Sequence, residues 1–309
     1  MALNGYLAEE IALDLADGLL SRREALRRLG LLGLSVAGAT SLLAACGGGS
    51  EDSAADTAGG ASESPPASPT SSTAAPTDPG TDPGTAAETI RFPGPGGELQ
   101  AAWATPAAPT AALLVIHENR GRTPHFDELV TRFAGVGYAA MSVDLLSRQG
   151  GTAALPDEGQ VQAALAAVPA EQLIADLQAG IDELGRRVPG KKVGAVGFCF
   201  GGGMTWSLLD AGESRLAAAA PFYGPAPEAP DFAGAKAAVL GVYAELDDRV
   251  NASRDRAEAA LKAAGLVYEI RTFAGADHAF FNNTGQRYNE GAAREAYTAL
   301  LAWFDQYLQ

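Results

Sequence analysis

Gly197-Phe198-Cys199-Phe200-Gly201-Gly202 is the stretch from which the rest of the chain is read. An apolar run, Val193 to Val196, leads into it, and a segment with helical spacing follows. This is the layout of a nucleophile elbow, in which a strand ends, one residue takes a strained backbone conformation and a helix starts at once. Strand and helix then pass so closely that small residues are needed two before and two after the central one. Gly197 and Gly201 meet that demand, and Cys199 holds the centre, where Ser is usual. A thiolate is a strong nucleophile, and the positive end of the following helix is expected to lower its pKa. The plainer alternative is a buried cysteine in a glycine-rich turn.

Outward from the elbow, apolar runs and helical segments alternate. Glu88 to Phe92 and Glu98 to Ala104 suit a leading antiparallel pair. Ala111 to Ile116 and Tyr138 to Val143 are continuous apolar runs, the mark of strands covered on both faces. Lys192 to Gly197, Leu216 to Phe222, Ala237 to Tyr243 and Val267 to Phe273 complete the predicted strands. Phe126 to Phe133, Glu171 to Leu184 and Ala292 to Leu308 have helical spacing. The pattern predicts an α/β fold, a mainly parallel sheet with helices on both faces, whose active residues gather at the carboxyl ends of the strands.

A thiol that transfers acyl groups needs a base, and the base needs an orienting carboxylate. The chain has only three histidines, His117, His125 and His278. The chain order of an elbow fold is nucleophile, acid, base, and only His278 follows Cys199. Of the carboxylates after the Ala237 to Tyr243 strand (Glu245, Asp247 and Asp248), Asp247 is expected. It stands four past the strand end, and Val250 can pack back while Asp248 and Arg249 point to water. The oxyanion hole is expected from the backbone N–H groups of Phe200 and Asn119. Glu118 lies beside the site, where it can share a proton with the thiol, or else pair with Arg120 or Arg122. No metal or cofactor is expected, since no histidine pair has zinc spacing beyond His117 and His125, which flank a glycine-rich loop.

The remainder of the chain reads as address and tether. From Gly47 to Ala87 there is no Ile, Leu, Val, Met, aromatic, Lys or Arg, a composition that cannot form a core, so 47–87 is expected to be a disordered linker. Within 1–46, Ser21-Arg22-Arg23 opens a basic patch, Leu29 to Ser50 carries no charge, and Leu43-Ala44-Ala45-Cys46 precedes three glycines. That order describes an export signal. The arginine pair resembles a twin-arginine signal, and Leu-Ala-Ala-Cys resembles a bacterial lipobox, with Cys46 as the lipidated residue. The expected location is the outer face of the cytoplasmic membrane, held by the lipid alone, or secreted. An uncleaved membrane helix is the alternative, at the short end for spanning. The first twenty residues look helical and amphipathic, with no role beyond a long leader. Cys46 and Cys199, the only two cysteines, are not expected to pair. The net charge of -15 argues against nucleic acid as a partner.

These residues together resemble the dienelactone hydrolase family, the carboxymethylenebutenolidases of the α/β-hydrolase fold. The resemblance covers nearly all of 88–309 and rests on His117-Glu118-Asn119-Arg120-Gly121, Asp144-Leu145-Leu146-Ser147-Arg148, the elbow, Asp247-Asp248-Arg249-Val250 and His278-Ala279-Phe280. It implies a Cys199, Asp247, His278 triad with Glu118 gating the thiol, and Arg148 as the cation that binds a substrate carboxylate. The family's second such arginine falls at Asn282 here; Arg287 carries charge further along. The implied activity is hydrolysis of a small ester or lactone. The implied substrate changes with export, because dienelactone breakdown is expected in the cytoplasm. The rival reading is a tethered surface binding protein that keeps the fold without the chemistry. Thiol redox work lacks a resolving cysteine.

Overall fold

In a computed structural model of the chain, the described residues are 3–46 and 86–309. The expected linker falls almost wholly outside them, and only Ala86 and Ala87 lead into the first strand. Three helices come first: α1 (Leu3–Ala16), α2 (Arg22–Leu31) and α3 (Val36–Cys46). The remaining chain runs β1 (Glu88–Gly94), β2 (Gly97–Ala104), β3 (Ala111–Ile116), α4 (Pro124–Gly135), β4 (Tyr138–Val143), α5 (Glu158–Ala167), α6 (Ala170–Arg187) and β5 (Val193–Phe198). After the elbow come α7 (Phe200–Asp210), β6 (Leu216–Phe222), β7 (Ala238–Ala244), α8 (Asp248–Asn251), α9 (Arg254–Ala263), β8 (Tyr268–Phe273) and α10 (Glu290–Leu308).

The eight strands form one sheet in the order β1-β2-β4-β3-β5-β6-β7-β8. β1 and β2 pair antiparallel, β2 joins β4 antiparallel, and every pair from β4 to β8 is parallel. Every residue of β3, β4, β5 and β7 is buried, which is why those strands read as unbroken apolar runs. This is the mainly parallel α/β sheet expected from the alternation of elements, and the α/β-hydrolase architecture that the resemblance implies. After β1, three helices escaped the sequence reading: α5, the short α8 and α9. α5 is started by Asp157, whose carboxylate accepts the Gln160 N–H at 3.0 Å, and α9 buries only Ala257 and Leu261.

Residues of α1, α2 and α3, in the stretch expected as an export signal, are packed into the structure. Ile11, Ala25, Leu29 and Leu43 make a small core among α1, α2 and α3, and Tyr6 and Leu7 belong to the main core. Arg27 and Arg28 of α2 reach Asp157 at 2.9 Å and Glu158 at 3.3 Å, which ties α2 to the start of α5. Arg22 and Arg23 open α2 in solvent, behind the Ser21 cap. Among the described residues no helix is long and apolar enough to cross a membrane.

The elbow sets the tightest spacing in the sheet. A Cβ on Gly197 would lie 2.0 Å from the Gly201 carbonyl oxygen, and one on Gly201 would lie 2.2 Å from that of Ile116. Those are backbone atoms fixed by ladder and helix bonds, so neither neighbour can yield. Gly201→Ala is therefore expected to cost about 3 kcal/mol or more, the upper end for overpacking. Gly185→Ala, in open space on α6, should add about 0.5–1 kcal/mol. Urea midpoints of the two variants check both signs.

Candidate active site

β5 delivers Cys199 with φ 56° and ψ −118°, a left-handed strain that a non-glycine residue adopts only when its surroundings force it. Its N–H donates to the Phe222 carbonyl and its carbonyl accepts from Gly203, both at 3.0 Å, so the turn is pinned from the neighbouring strand and from the helix. Phe200 heads α7, and its N–H is one of the first-turn donors without an intrahelical acceptor. Asn119, in the loop after β3, lines the same small cavity as Cys199, where the second oxyanion donor was expected.

His278 arrives from the turn after β8, whose backbone is bent sharply enough to hold Ala279 at φ 60°. Its Nδ1 lies 2.5 Å from Asp247 Oδ2, while Asp247 Oδ1 accepts the Val250 N–H at 3.1 Å. One carboxylate thus orients the imidazole and caps α8. Val250 packs inward as expected, and Asp248 is exposed. Asp277 accepts the N–H of His278 at 2.6 Å and lies 3.7 Å from Arg287, so it does not compete for the ring. A ring nitrogen of His278, the Cys199 sulfur and a carboxylate oxygen of Glu10 all lie within 4.8 Å of one another.

Glu10 belongs to α1, which the sequence reading left as leader. Its Oε1 stands 3.4 Å from His278 Nε2, and Oε2 stands 3.9 Å from the sulfur. The Tyr6 hydroxyl is 3.2 Å from Sγ. Arg249 contradicts the expectation that it points to water: it pairs with Glu10, and its guanidinium lies 4.6 Å from the Tyr6 ring centroid. Arg287 pairs with Asp14 at 3.0 Å and with Asp17. The signal available beforehand was the run Glu9, Glu10, Asp14 and Asp17 in twenty residues that hold no Lys, Arg or His.

Glu118 is buried, and it does not touch the thiol. Its Oε2 accepts from Asn282 Nδ2 at 2.8 Å, and the Tyr223 hydroxyl lies 3.5 Å from Oε1. Asn282, in place of the second arginine, thus holds Glu118. Arg120 and Arg122 pair elsewhere, with Glu158 at 3.4 Å and Asp127 at 3.1 Å. Arg148 is not brought to the thiol either. Its guanidinium forms a two-pronged pair with Asp176 of α6, whose side chain is wholly buried. His117 is structural: Nδ1 lies 2.8 Å from the Glu118 carbonyl, and Nε2 accepts the Leu145 N–H at 3.3 Å, which assigns the proton to Nδ1.

Burial, then the Glu10 charge, pushes the Cys199 thiol above its ordinary pKa, against the pull of His278. The helix dipole acts in the opposite direction. Burial works against charge on His278, yet Glu10, Asp247 and Cys199 together raise it well above the usual imidazole range. Burial likewise raises Glu118, with Asn282 and His278 opposing. With α1 seated, the geometry favours a neutral thiol beside an imidazolium that faces a carboxylate. Glu10, Cys199 and His278 are also a metal-donor set by type. Arg249 already neutralises Glu10, so a cation entering there would have to displace a buried guanidinium.

Residues 99–308 match the dienelactone hydrolase family. A Methylorubrum extorquens protein named as a carboxymethylenebutenolidase is 31% identical over 239 residues, covering 72% of this chain and 81% of its own length. A Salmonella typhi protein of the same name is 32% identical over 238 residues, covering 72% and 88%. Among solved structures, a Klebsiella pneumoniae protein named as a dienelactone hydrolase superposes with a TM-score of 0.63 at 29% identity, over 72% of this chain and 98% of that one. With an elbow, an acid and a base in the family's order and a match across most of its length, the chain belongs to the dienelactone hydrolase family.

Proposed function

We propose that this chain hydrolyses a small ester or lactone with Cys199 as nucleophile, His278 as base and Asp247 as its orienting acid. The observation that carries the reading is the convergence, at one edge of the sheet, of a strained thiol and an imidazole whose far nitrogen is locked 2.5 Å from a buried carboxylate. Once Glu10, the first of the charges that keep the ring protonated, is withdrawn and His278 is neutral, Nε2 takes the Sγ proton and the thiolate adds to the carbonyl carbon. The oxyanion is received by the N–H groups of Phe200 and Asn119. Collapse breaks the C–O bond, and the leaving alkoxide takes the proton back from Nε2, leaving a thioester. Water then adds with its proton passing to His278, and the acid departs as Sγ is reprotonated. Gating by Glu118 fits this scheme if its carboxyl turns from Asn282 towards the sulfur.

Neither arginine position of the family's carboxylate pair is free at the thiol: Arg148 holds Asp176, and residue 282 is asparagine. The cations that line the cavity are Arg120, paired with Glu158 at 3.4 Å, and Arg287, held by Asp14 and Asp17. The substrate is therefore placed at the level of ester or lactone, with no cofactor in the scheme.

The address is part of the proposal. Residues 1–46 direct export, Cys46 takes the lipid after cleavage before it, and 88–309 act at the outer face of the cytoplasmic membrane. Absence of a spanning helix among the described residues fits an anchor made by lipid alone.

Hydrolysis of p-nitrophenyl acetate and of a panel of small lactones tests the chemistry. His278→Ala and Asp247→Asn should each lose about 10²- to 10⁴-fold in kcat, with the fold intact by circular dichroism. Undiminished turnover in Cys199→Ala, which leaves no nucleophile at the elbow, would remove the thiol from the scheme. The pH profile gives a second test. Because the thiol is raised and the thiolate is the reactive form, iodoacetamide labelling of Cys199 in the full chain should be slow at neutral pH. It should climb about tenfold per pH unit into the alkaline range, to the right of a free cysteine. Arg148→Met gives a third. Leaving Asp176 buried and unpaired should cost about 3–5 kcal/mol, while KM for carboxylated and neutral esters stays in the same ratio. A change in that ratio at unchanged stability would return Arg148 to the substrate.

A further inference from the structure

Two carboxylates of α1, Glu10 and Asp14, and that of Asp17 just past its end lie along one side, because steps of four and three return to the same face and the Asp17 N–H still donates to the Leu13 carbonyl. Each meets a cation of the catalytic domain: Glu10 meets Arg249 and stands 3.4 Å from His278 Nε2, Asp14 meets Arg287 at 3.0 Å, and Asp17 meets the same guanidinium. Glu10 and Asp14 are 5% and 8% exposed, so their charges have left water and depend on these partners. An export leader has no use for buried acid matched residue by residue to the domain it carries.

The position matters as much as the match. The Tyr6 hydroxyl at 3.2 Å and the Glu10 carboxylate at 3.9 Å cover the sulfur, and Cys199 as a whole is 3% exposed. The cavity left around Cys199, His278 and Asn119 is about 50 Å³, room for a few waters and not for an ester seated on the thiol. Beside it a cavity of about 330 Å³, lined by Phe200, Met204, Leu173, Ile174 and Pro225, has Tyr6 as part of its wall. The same side chain that touches the thiol thus also borders the larger space.

We propose that the mouth of the catalytic site is a docking surface for an acidic, tyrosine-bearing helix, and that α1 is its occupant, keeping the hydrolase closed while the leader remains attached. Arg249 and Arg287 hold the helix by its carboxylates, Tyr6 stands over the nucleophile, and Glu10 fills the space in which an acyl group must lie. The clamp of Arg27 and Arg28 of α2 on Asp157 and Glu158 keeps the leader registered against the domain. Cleavage before Cys46 removes α1 with the leader and opens the site. The contact itself rests on geometry; its consequence for turnover rests on the hydrolase reading above.

The test uses the full chain and the Tyr6→Ala/Glu10→Ala variant, with Glu10→Gln/Asp14→Asn as a milder second variant. Iodoacetamide labelling is mapped to the Cys199 peptide by mass spectrometry, and p-nitrophenyl acetate hydrolysis is measured alongside. Removing buried partners should raise the open population, and with it the Cys199 labelling rate, by about 100-fold or more in the first variant. Amide exchange should show α1 exposed while β3, β5 and β7 keep their protection. Faster labelling with faster hydrolysis supports both the closed site and the chemistry. Faster labelling with no gain in hydrolysis supports the closed site and counts against the thiol hydrolase. Unchanged labelling in both variants, with α1 shown by exchange to have left the domain, overturns the proposal, as does unchanged α1 protection.

Discussion

The structure depends on the passage of α7 over the end of β5. Because Gly201 lies against the carbonyls of Ile116 and His117, and Gly197 against that of Gly201, strand and helix approach to backbone contact. The chain can make that turn only by setting Cys199 at positive φ, which lifts the thiol out of the sheet and puts the Phe200 N–H beside it. The carbonyls that limit Gly201 end β3, so the loop carrying Glu118 and Asn119 is fixed to the same spot. β7 and β8, parallel to β5, end on that edge too and bring Asp247 and His278. The site is a consequence of parallel strands sharing one edge and of two missing methyl groups.

Electrostatics then decide the state of the thiol. A helix N-terminus lowers the pKa of a cysteine, but here burial and a nearby carboxylate act in the other direction and raise the thiol. The imidazole is shifted the same way for a different reason, since three anionic or ionisable neighbours surround it. The sign for stability follows. With the folded pKa of His278 raised, its charge stabilises the closed arrangement fully below the unfolded value of ~6.5, and that contribution is lost as pH rises through the folded pKa. Glu10, Asp247 and Cys199 favour the charge on the ring, and burial opposes it.

The sequence made part of this legible. β3, β4 and β6 fall on the residues at which their apolar runs begin and end, because strands covered on both faces leave no alternation to misread. His278 could be found by elimination among three histidines, and Asp247 by its place past a strand end. α9 was missed because a helix with two buried residues carries almost no apolar period. Arg148 was misplaced because a motif names a residue type, while its partner Asp176 lies on α6, where it reads as one more polar helix position. Arg249 was misplaced through its neighbour: Asp248 is exposed, but one step along a four-residue helix turns the side chain to another face. α1 was passed over because the address signals in 21–46 accounted for the N-terminus, and its acids mean nothing until Arg249 and Arg287 are placed.

Address and stopper occupying one segment, as proposed, would have a thermodynamic logic. While α1 is part of the chain, its return to the site is intramolecular, and modest contacts suffice to keep it there. Once a cut separates it, the same contacts must work against dilution, and a single helix loses the translational freedom it regains on release. α1 is fourteen residues long, near the limit at which a helix holds its shape alone, so a freed leader also loses the spacing that aligns its three acids. Closure made from buried ion pairs is therefore strong in the attached state and self-dissolving in the cut one. A hydrophobic plug of the same area would lack the second property, because apolar surface stays adhesive whatever the shape of the peptide that carries it.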